Sequence, residues 1–128
     1  MAAKLSVSLV ICLALTGCAS VQVARDARGQ GLTKVYRGSQ QDIFYAMHNA
    51  VLETSGKIVE ENKSECSVLG RYGMTAFSWG ERVGIFCYRI SESEYQVEVV
   101  SKRAVGPNIT AKDWTAQIFR VLDSELHQ

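Results

Sequence analysis

Two cysteines, Cys66 and Cys87, lie at the outer ends of two apolar segments that can pair as a β-hairpin. The first segment alternates in the way that is typical of a strand, and one of its faces carries Cys66, Val68, Gly70, Tyr72 and Met74. The second segment covers residues 83–90. If residues 75–78 form the loop, paired positions sum to 153, and the predicted pairs are Cys66 with Cys87, Val68 with Ile85, Gly70 with Val83 and Met74 with Trp79. A longer loop over residues 75–82 would separate the cysteines by several residues, and the sequence leaves both registers open.

The segment before this hairpin predicts a helix between strands. Ser39 is a favourable N-cap residue and Asp42 follows three residues later, so we expect a helix over about residues 40–55, with Gly56 as its stop. The remaining strand candidates cover residues 32–37, 57–61 and 95–102. A second N-cap pattern, Thr110 with Asp113, predicts a helix near the end of the chain.

This order of elements predicts a single α+β domain over residues 32–128, with an antiparallel sheet of three to five strands and two helices packed on one face. One face of the hairpin carries the cysteines. The other face is expected to carry the large side chains of Phe86, Tyr88, Ile90, Tyr95, Val97 and Val99. The pattern does not say which of the two faces the helices cover.

The N-terminal residues have the pattern of an export signal. Lys4 precedes an apolar run over residues 5–15, which is too short for a confident transmembrane helix. The run ends in Leu15-Thr16-Gly17-Cys18, and these four residues resemble the lipobox of bacterial lipoprotein precursors. The resemblance implies that residues 1–17 are a signal peptide, that Cys18 receives a diacylglyceryl group and an acyl chain such as palmitate, and that residues 18–31 are a lipidated tether. The alternative is an ordinary secretory signal in which the cysteine is incidental.

The resemblance also implies a location. No aspartate follows Cys18, and in precursors of this kind that pattern implies sorting to the outer membrane, with the domain facing the periplasm. Such a compartment permits disulfide bonds. We therefore expect Cys66 and Cys87 to be bonded, with buried free thiols as the alternative, and the enclosed loop would contribute about 3 kcal/mol.

The charge balance narrows the possible partners. Loss of residues 1–17 removes Lys4 from the 14 basic residues, so 13 basic residues balance 13 acidic ones. A neutral domain is not expected to bind nucleic acid or to clamp a membrane electrostatically, since both functions need a basic surplus.

The sequence contains no recognisable catalytic pattern. His48 and His127 do not fall in a metal-binding spacing, and the pairs Glu60-Glu61 and Glu92 with Glu94 lie where solvated carboxylates are ordinary. We therefore expect a protein that is not an enzyme and has no metal or cofactor. The expected function is a partner-binding or structural accessory role in the cell envelope.

The predicted partner-binding residues are Phe77 and Trp79. Large aromatic side chains in a hairpin loop are unusual, and exposed aromatics often dominate protein interfaces. The alternatives are that they insert into the membrane interface or that they fold back to cap a small core. The segment Phe77-Ser78-Trp79-Gly80-Glu81, together with Tyr72, faintly resembles a loop of periplasmic lysozyme inhibitors, and that resemblance implies inhibition of an exogenous hydrolase as an alternative function. Those inhibitors are all-β, whereas residues 40–55 here have a helical pattern.

A second resemblance covers about residues 32–126. The layout is similar to that of small outer-membrane lipoproteins with β-α-β-β-β-α order, and it rests on Lys34-Val35-Tyr36, on Ala46 and Ala50 in the helix, on Gly56 and on the terminal helix. The resemblance implies an envelope protein as partner, in addition to the membrane that holds the lipid. It transfers no functional residues.

Overall fold

The computed structural model describes residues 22–73, 80–103 and 113–128 of the chain. Within these ranges the chain forms an α+β fold, as predicted. The elements are α1 (residues 22–26), β1 (Leu32–Arg37), α2 (Gln40–Glu53), β2 (Lys57–Asn62), β3 (Ser67–Tyr72), β4 (Glu81–Arg89), β5 (Glu94–Arg103) and α3 (Thr115–Glu125). The strands form one antiparallel sheet in the order β1-β5-β4-β3-β2.

The predicted hairpin register is confirmed for β3 and β4. Val68 pairs with Ile85 and Gly70 pairs with Val83. One position beyond the last β3–β4 pair, Cys66 and Cys87 form a disulfide bond, and the Cys87 N–H donates a hydrogen bond of 2.9 Å to the Cys66 carbonyl. The predicted pair Met74 with Trp79 lies outside the described residues.

Helix α2 begins as predicted and ends slightly earlier. The Ser39 hydroxyl accepts a hydrogen bond of 3.1 Å from the Asp42 N–H, which is the expected N-cap. At the other end the left-handed residue is Ser55, with φ of 70°, and not Gly56. Gly56 is needed for a different reason: a Cβ atom there would lie 2.8 Å from the Tyr72 ring and 2.9 Å from the Val51 side chain. The absence of a side chain lets β2 begin close against the aromatic ring.

Helix α3 begins at Thr115, and the predicted cap Thr110 lies outside the described residues. The Asp113 side chain accepts a hydrogen bond of 2.9 Å from the Thr115 N–H, so this carboxylate satisfies a donor at the start of the helix. Ile118 and Leu122, spaced four residues apart, are fully buried against the sheet.

The main core lies between the sheet and the helices α2 and α3. Its fully buried side chains include Tyr36, Ile43, Met47, Val51, Val68, Val83, Ile85, Val97, Ile118 and Leu122. The disulfide belongs to this core, since Cys66 and Cys87 are both buried in it.

One prediction about the sheet faces is wrong. Tyr95, Val97 and Val99 were expected to share a face with Phe86 and Tyr88, but they lie on the face that α2 and α3 cover. Val99 pairs directly with Ile85, and Val97 pairs with Cys87. Directly paired residues project to the same side of an antiparallel sheet, so β5 follows the face of the cysteines. Ile90 is exposed in the turn after β4.

The opposite face of the sheet is covered in part by α1. Ala24 and Ala27 are buried there against Leu69, Phe86 and Val100. A flexible tether was expected over residues 18–31, but residues 22–31 are docked on the sheet, because Ala24 in α1 and Ala27 in the turn that follows it are both apolar and face the same side. Gly31 allows the close approach, since a Cβ atom at this position would collide with the Val99 carbonyl.

A polar cluster joins the end of α3 to the edge strand β1. Asp123 accepts hydrogen bonds of 2.7 Å from the Tyr36 hydroxyl and 2.9 Å from the Lys34 ammonium group. Burial raises the pKa of Asp123, but the hydrogen bonds from Tyr36, Lys34 and Gln128 outweigh it, so the pKa lies below its usual value. The carboxylate form of Asp123 therefore stabilises the folded chain.

We predict that removing the disulfide by Cys66→Ala with Cys87→Ala lowers the free energy of unfolding by about 2–4 kcal/mol, because the bond restricts the unfolded chain. Urea denaturation of the purified protein measures the change. Reduction of the wild-type protein should produce a loss of the same size and leave the double variant unaffected. An unchanged denaturation midpoint in both experiments would contradict the prediction.

We also predict that Asp123→Asn destabilises the protein by about 1 kcal/mol at pH 7, the net contribution of an ordinary hydrogen bond at a site that solvent partly screens. Since the pKa of Asp123 is depressed on folding, this contribution is complete above the usual value of 3.8 and is lost as the pH falls through the lower folded value. Thermal denaturation of both proteins between pH 7 and pH 2 tests the sign. A difference that stays constant down to pH 2 would exclude an ionised Asp123 as its cause.

Candidate functional site

Four basic residues line up across four strands on the face that carries α1. Lys57 pairs with Arg71, Arg71 pairs with Arg82, and Arg82 pairs with Lys102. Neighbouring strands are about 4.8 Å apart, so the four side chains form a continuous row of positive charge. We call Lys57, Arg71, Arg82 and Lys102 the basic row. Lys57, Arg71 and Lys102 are exposed, and Arg82 is half-buried.

A shallow cavity of about 360 Å³ opens at the β2 end of the basic row. Its lining combines three members of the row with Ser55, Tyr72 and Gly73 and includes no carboxylate. Other cavities of the described residues differ in charge: one beside α3 is lined by both acidic and basic side chains, and one beside Phe44 has a single lysine. Among the cavities that the described residues form, the one on the basic row has the most basic lining and is suited to an anion. Its size falls within the range of small-ligand sites.

The pKa of Arg82 reflects the positive charge that surrounds it. Burial lowers the pKa of Arg82, the neighbouring charge of Arg71 lowers it further, and Glu81 partly offsets both effects. A guanidinium group keeps its proton in proteins, so the positive charge stays in place. Guanidinium groups also present paired N–H donors in a plane, an arrangement that matches phosphate and carboxylate oxygens.

An aromatic stack lies on the opposite face at the same end of the sheet. The rings of Tyr72 and Trp114 are parallel to within 14°, with centroids 4.1 Å apart. The Trp114 indole N–H donates a hydrogen bond of 3.0 Å to the Glu81 carboxylate, and the hydroxyls of Tyr72 and Thr54 are 2.6 Å apart. Burial raises the pKa of Tyr72. These contacts hold the ends of β3 and β4 rigidly against α3.

The carboxylate of Glu98 secures the N-terminal segment beside the basic row. Glu98 is 1% exposed, and one of its oxygens accepts hydrogen bonds of 2.7 Å and 2.8 Å from the N–H groups of Gly29 and Gly31. Its other oxygen accepts a hydrogen bond of 2.8 Å from the Tyr88 hydroxyl. The Arg28 guanidinium covers the rings of Phe86 and Tyr88. A buried carboxylate with three donors is a strong anchor for a short segment.

The histidine and glutamate residues considered in the sequence analysis lie in ordinary surface or sheet contacts. His48 Nδ1 lies 2.7 Å from a Glu61 oxygen in a half-exposed contact between α2 and β2. Glu60 forms an ion pair with Arg25 of α1. Glu92 is exposed in the turn before β5, and Glu94 pairs with Arg37 in the sheet. Among the described residues, no group of three His, Cys, Asp or Glu side chains is arranged to hold a metal ion.

Three predicted site residues lie outside the described residues: Cys18, Phe77 and Trp79. The basic row was not predicted, although the hairpin register contained the signal for part of it. Positions 71 and 82 sum to 153, so the register that pairs the cysteines also places Arg71 opposite Arg82. The other two members depend on β2 and β5, whose registers the sequence pattern left open.

The described residues thus define a small α+β domain in which an antiparallel sheet has two helices on one face and a short helix on the other. No protein-family model matches the chain, and no curated protein matches its sequence. Among solved structures, the chain is similar to a chain in the crystal structure of the adenylate sensor from AMP-activated protein kinase in complex with 5-aminoimidazole-4-carboxamide ribofuranotide (ZMP), with a TM-score of 0.52 and 15% sequence identity. The match covers 73% of this chain and 95% of that chain. At this identity the likeness shows the fold alone.

No helix among the described ranges is both long and apolar enough to cross a membrane.

We predict that Glu98→Ala releases α1 from the sheet while leaving the main core folded, because the N–H groups of Gly29 and Gly31 lose their charged acceptor. Limited trypsin digestion should cleave after Arg25 and Arg28 at least about tenfold faster, since hydrogen bonds to charged groups are each worth about 1.5–3 kcal/mol. Glu92→Ala is the matched control, as this glutamate is exposed in a turn. Equal cleavage rates in the wild type and Glu98→Ala would show that the carboxylate does not hold the segment.

Proposed function

We propose that the protein is a lipoprotein of the bacterial cell envelope, anchored through lipid on Cys18 to the periplasmic side of the outer membrane, with a non-catalytic binding or accessory role. The observation that carries the proposal is the sequence Leu15-Thr16-Gly17-Cys18 after a short apolar run. The thiolate of a cysteine is the nucleophile that accepts the lipid, and two or three acyl chains together give stable anchoring.

The docked N-terminal segment supports a role close to the membrane. Cys18 lies four residues before Gln22, the first residue that the structure describes, and a chain of this length spans at most about 14 Å. Ala24 and Ala27 fix α1 on the sheet. A lipid on Cys18 would therefore hold the domain within a short distance of the bilayer.

The charged site supports binding over catalysis. Arginine side chains hold an anion through fixed charge and directed N–H groups, but they do not exchange protons at neutral pH. The carboxylates around the basic row have structural partners: Glu81 accepts a hydrogen bond from Trp114, Glu60 pairs with Arg25, and Glu98 accepts hydrogen bonds from backbone N–H groups. Phe77 and Trp79 are part of this proposal as partner contacts.

We expect the wild-type protein to incorporate labelled palmitate and to fractionate with the outer membrane, and we expect Cys18→Ala to lose both properties. The variant should accumulate as a precursor of higher mass, because signal removal follows lipidation in lipoprotein precursors. Cys12→Ala is the matched control, since Cys12 lies within the proposed signal and should have no effect on labelling. A Cys18→Ala protein that is processed and anchored normally would refute the proposal.

A further inference from the structure

The basic row lies next to the docking site of α1 on the same face of the sheet. Arg71 is two residues from Leu69, and Lys102 is two residues from Val100, so the row is displaced by about 7 Å from the apolar side chains under α1. On β4 the same spacing holds: Gly84 pairs with both Leu69 and Val100, and it lies two residues after Arg82 and two residues before Phe86. The N-terminal segment and the row therefore occupy adjacent strips of one surface.

The carboxylates near the row hold other groups in place, although Glu81 is close enough to Arg82 to offset in part the lowering of its pKa by burial. The carboxylates in the adjacent strip, Glu60 and Glu98, are held by α1 and by the segment that follows it. Glu81 projects to the other face, where it accepts the Trp114 hydrogen bond. Residues 74–79 and 104–112, which come after β3 and β5 in the sequence, contain no Asp or Glu.

The position of the row relative to the anchor determines which anion it meets. A lipid on Cys18 would bring the bilayer within about 14 Å of Gln22 in α1, and α1 shares its face with the row. Phosphate-bearing headgroups at a membrane surface would then be at high local concentration beside four cationic side chains. Basic residues close to an anionic bilayer are attracted to it, and the attraction is limited to about one Debye length.

We infer that the basic row is a phosphate-binding surface that contacts the headgroups of anionic lipids and so orients the anchored domain with its α1 face toward the membrane. The inference rests on the proposed function, because a lipid on Cys18 is what places the row close to the bilayer. The cavity formed by Lys57, Arg71 and Arg82 is where a single phosphate group would be held, by guanidinium N–H donors and the lysine ammonium group.

The test uses the full lipidated protein in nanodiscs of phosphatidylcholine alone or with one quarter phosphatidylglycerol. An amine-reactive reagent, read out by mass spectrometry, measures the reaction rates of Lys57 and Lys102. We expect both lysines to react several-fold more slowly in the anionic discs. Lys63, in the turn at the opposite end of β2, should change little and serves as the internal control for surface potential.

Two variants with the same change in net charge separate the basic row from charge in general. Arg71→Gln should reduce the lipid-dependent protection of Lys57 about fivefold, the effect of one basic residue at an anionic surface. Arg120→Gln should leave it unchanged, because Arg120 is exposed on α3, which covers the opposite face. Protection that is equal in the two kinds of disc, or insensitive to Arg71→Gln, would overturn the inference.

Inorganic phosphate distinguishes the source of the anion. If phosphate at millimolar concentration protects Lys57 fully in neutral discs and anionic lipid adds nothing, the row binds a soluble anion and the membrane assignment is wrong. The mass of the N-terminal peptide reports lipidation of Cys18 separately. If Cys18 carries no lipid, the proposed function fails, and protection by added phosphatidylglycerol vesicles still decides whether the row binds lipid phosphate.

Discussion

Strand β4 pairs with β3 on one side and with β5 on the other, and the two registers decide where almost every other important side chain lies. Because side chains alternate between the faces, a slip by one residue would exchange the two faces of a strand. The observed register places Val83, Ile85 and Cys87 in the main core. It leaves Arg82 and Phe86 on the opposite face, one in the basic row and the other beneath α1. Burial of both sets of apolar side chains opposes a slip in either direction.

This register also creates an arrangement that costs stability. Like charges directly opposite one another on neighbouring strands repel, and the basic row contains three such pairs in succession. The flanking contacts offset this cost: the apolar cluster of Leu69, Phe86 and Val100 lies in the adjacent strip, and the stack of Tyr72 on Trp114 lies on the other face. Repulsion confined to one end of a well-packed sheet raises the local affinity for anions without separating the strands.

The sequence predicted the parts of the fold that depend on local pattern. Ser39 with Asp42 located the start of α2, and the alternation that pairs Val68 with Ile85 predicted the β3–β4 register. The sequence did not predict which face of the sheet Tyr95, Val97 and Val99 would occupy. The geometry of the turn between β4 and β5 was undetermined, so the alternating side chains of β5 could begin on either face. The docking of residues 22–31 was missed for a related reason. Glycines and polar residues are typical of a tether. The contacts that hold this segment, to the buried Glu98 and to the apolar side chains under Ala24 and Ala27, come from strands that are distant in sequence.

The balance of total charge does not describe how electrostatics act over short distances. Without residues 1–17 the chain has 13 basic and 13 acidic residues, and a net charge of zero disfavours long-range steering by charge toward a nucleic acid or a membrane. At distances below the Debye length of about 10 Å the relevant quantity is the local arrangement of charges. Four basic residues spread over three strand spacings, about 14 Å, make a local surplus that the total conceals. If a lipid on Cys18 supplies the attachment, such a surplus has only to orient the domain, and a few contacts of modest strength are sufficient for that task.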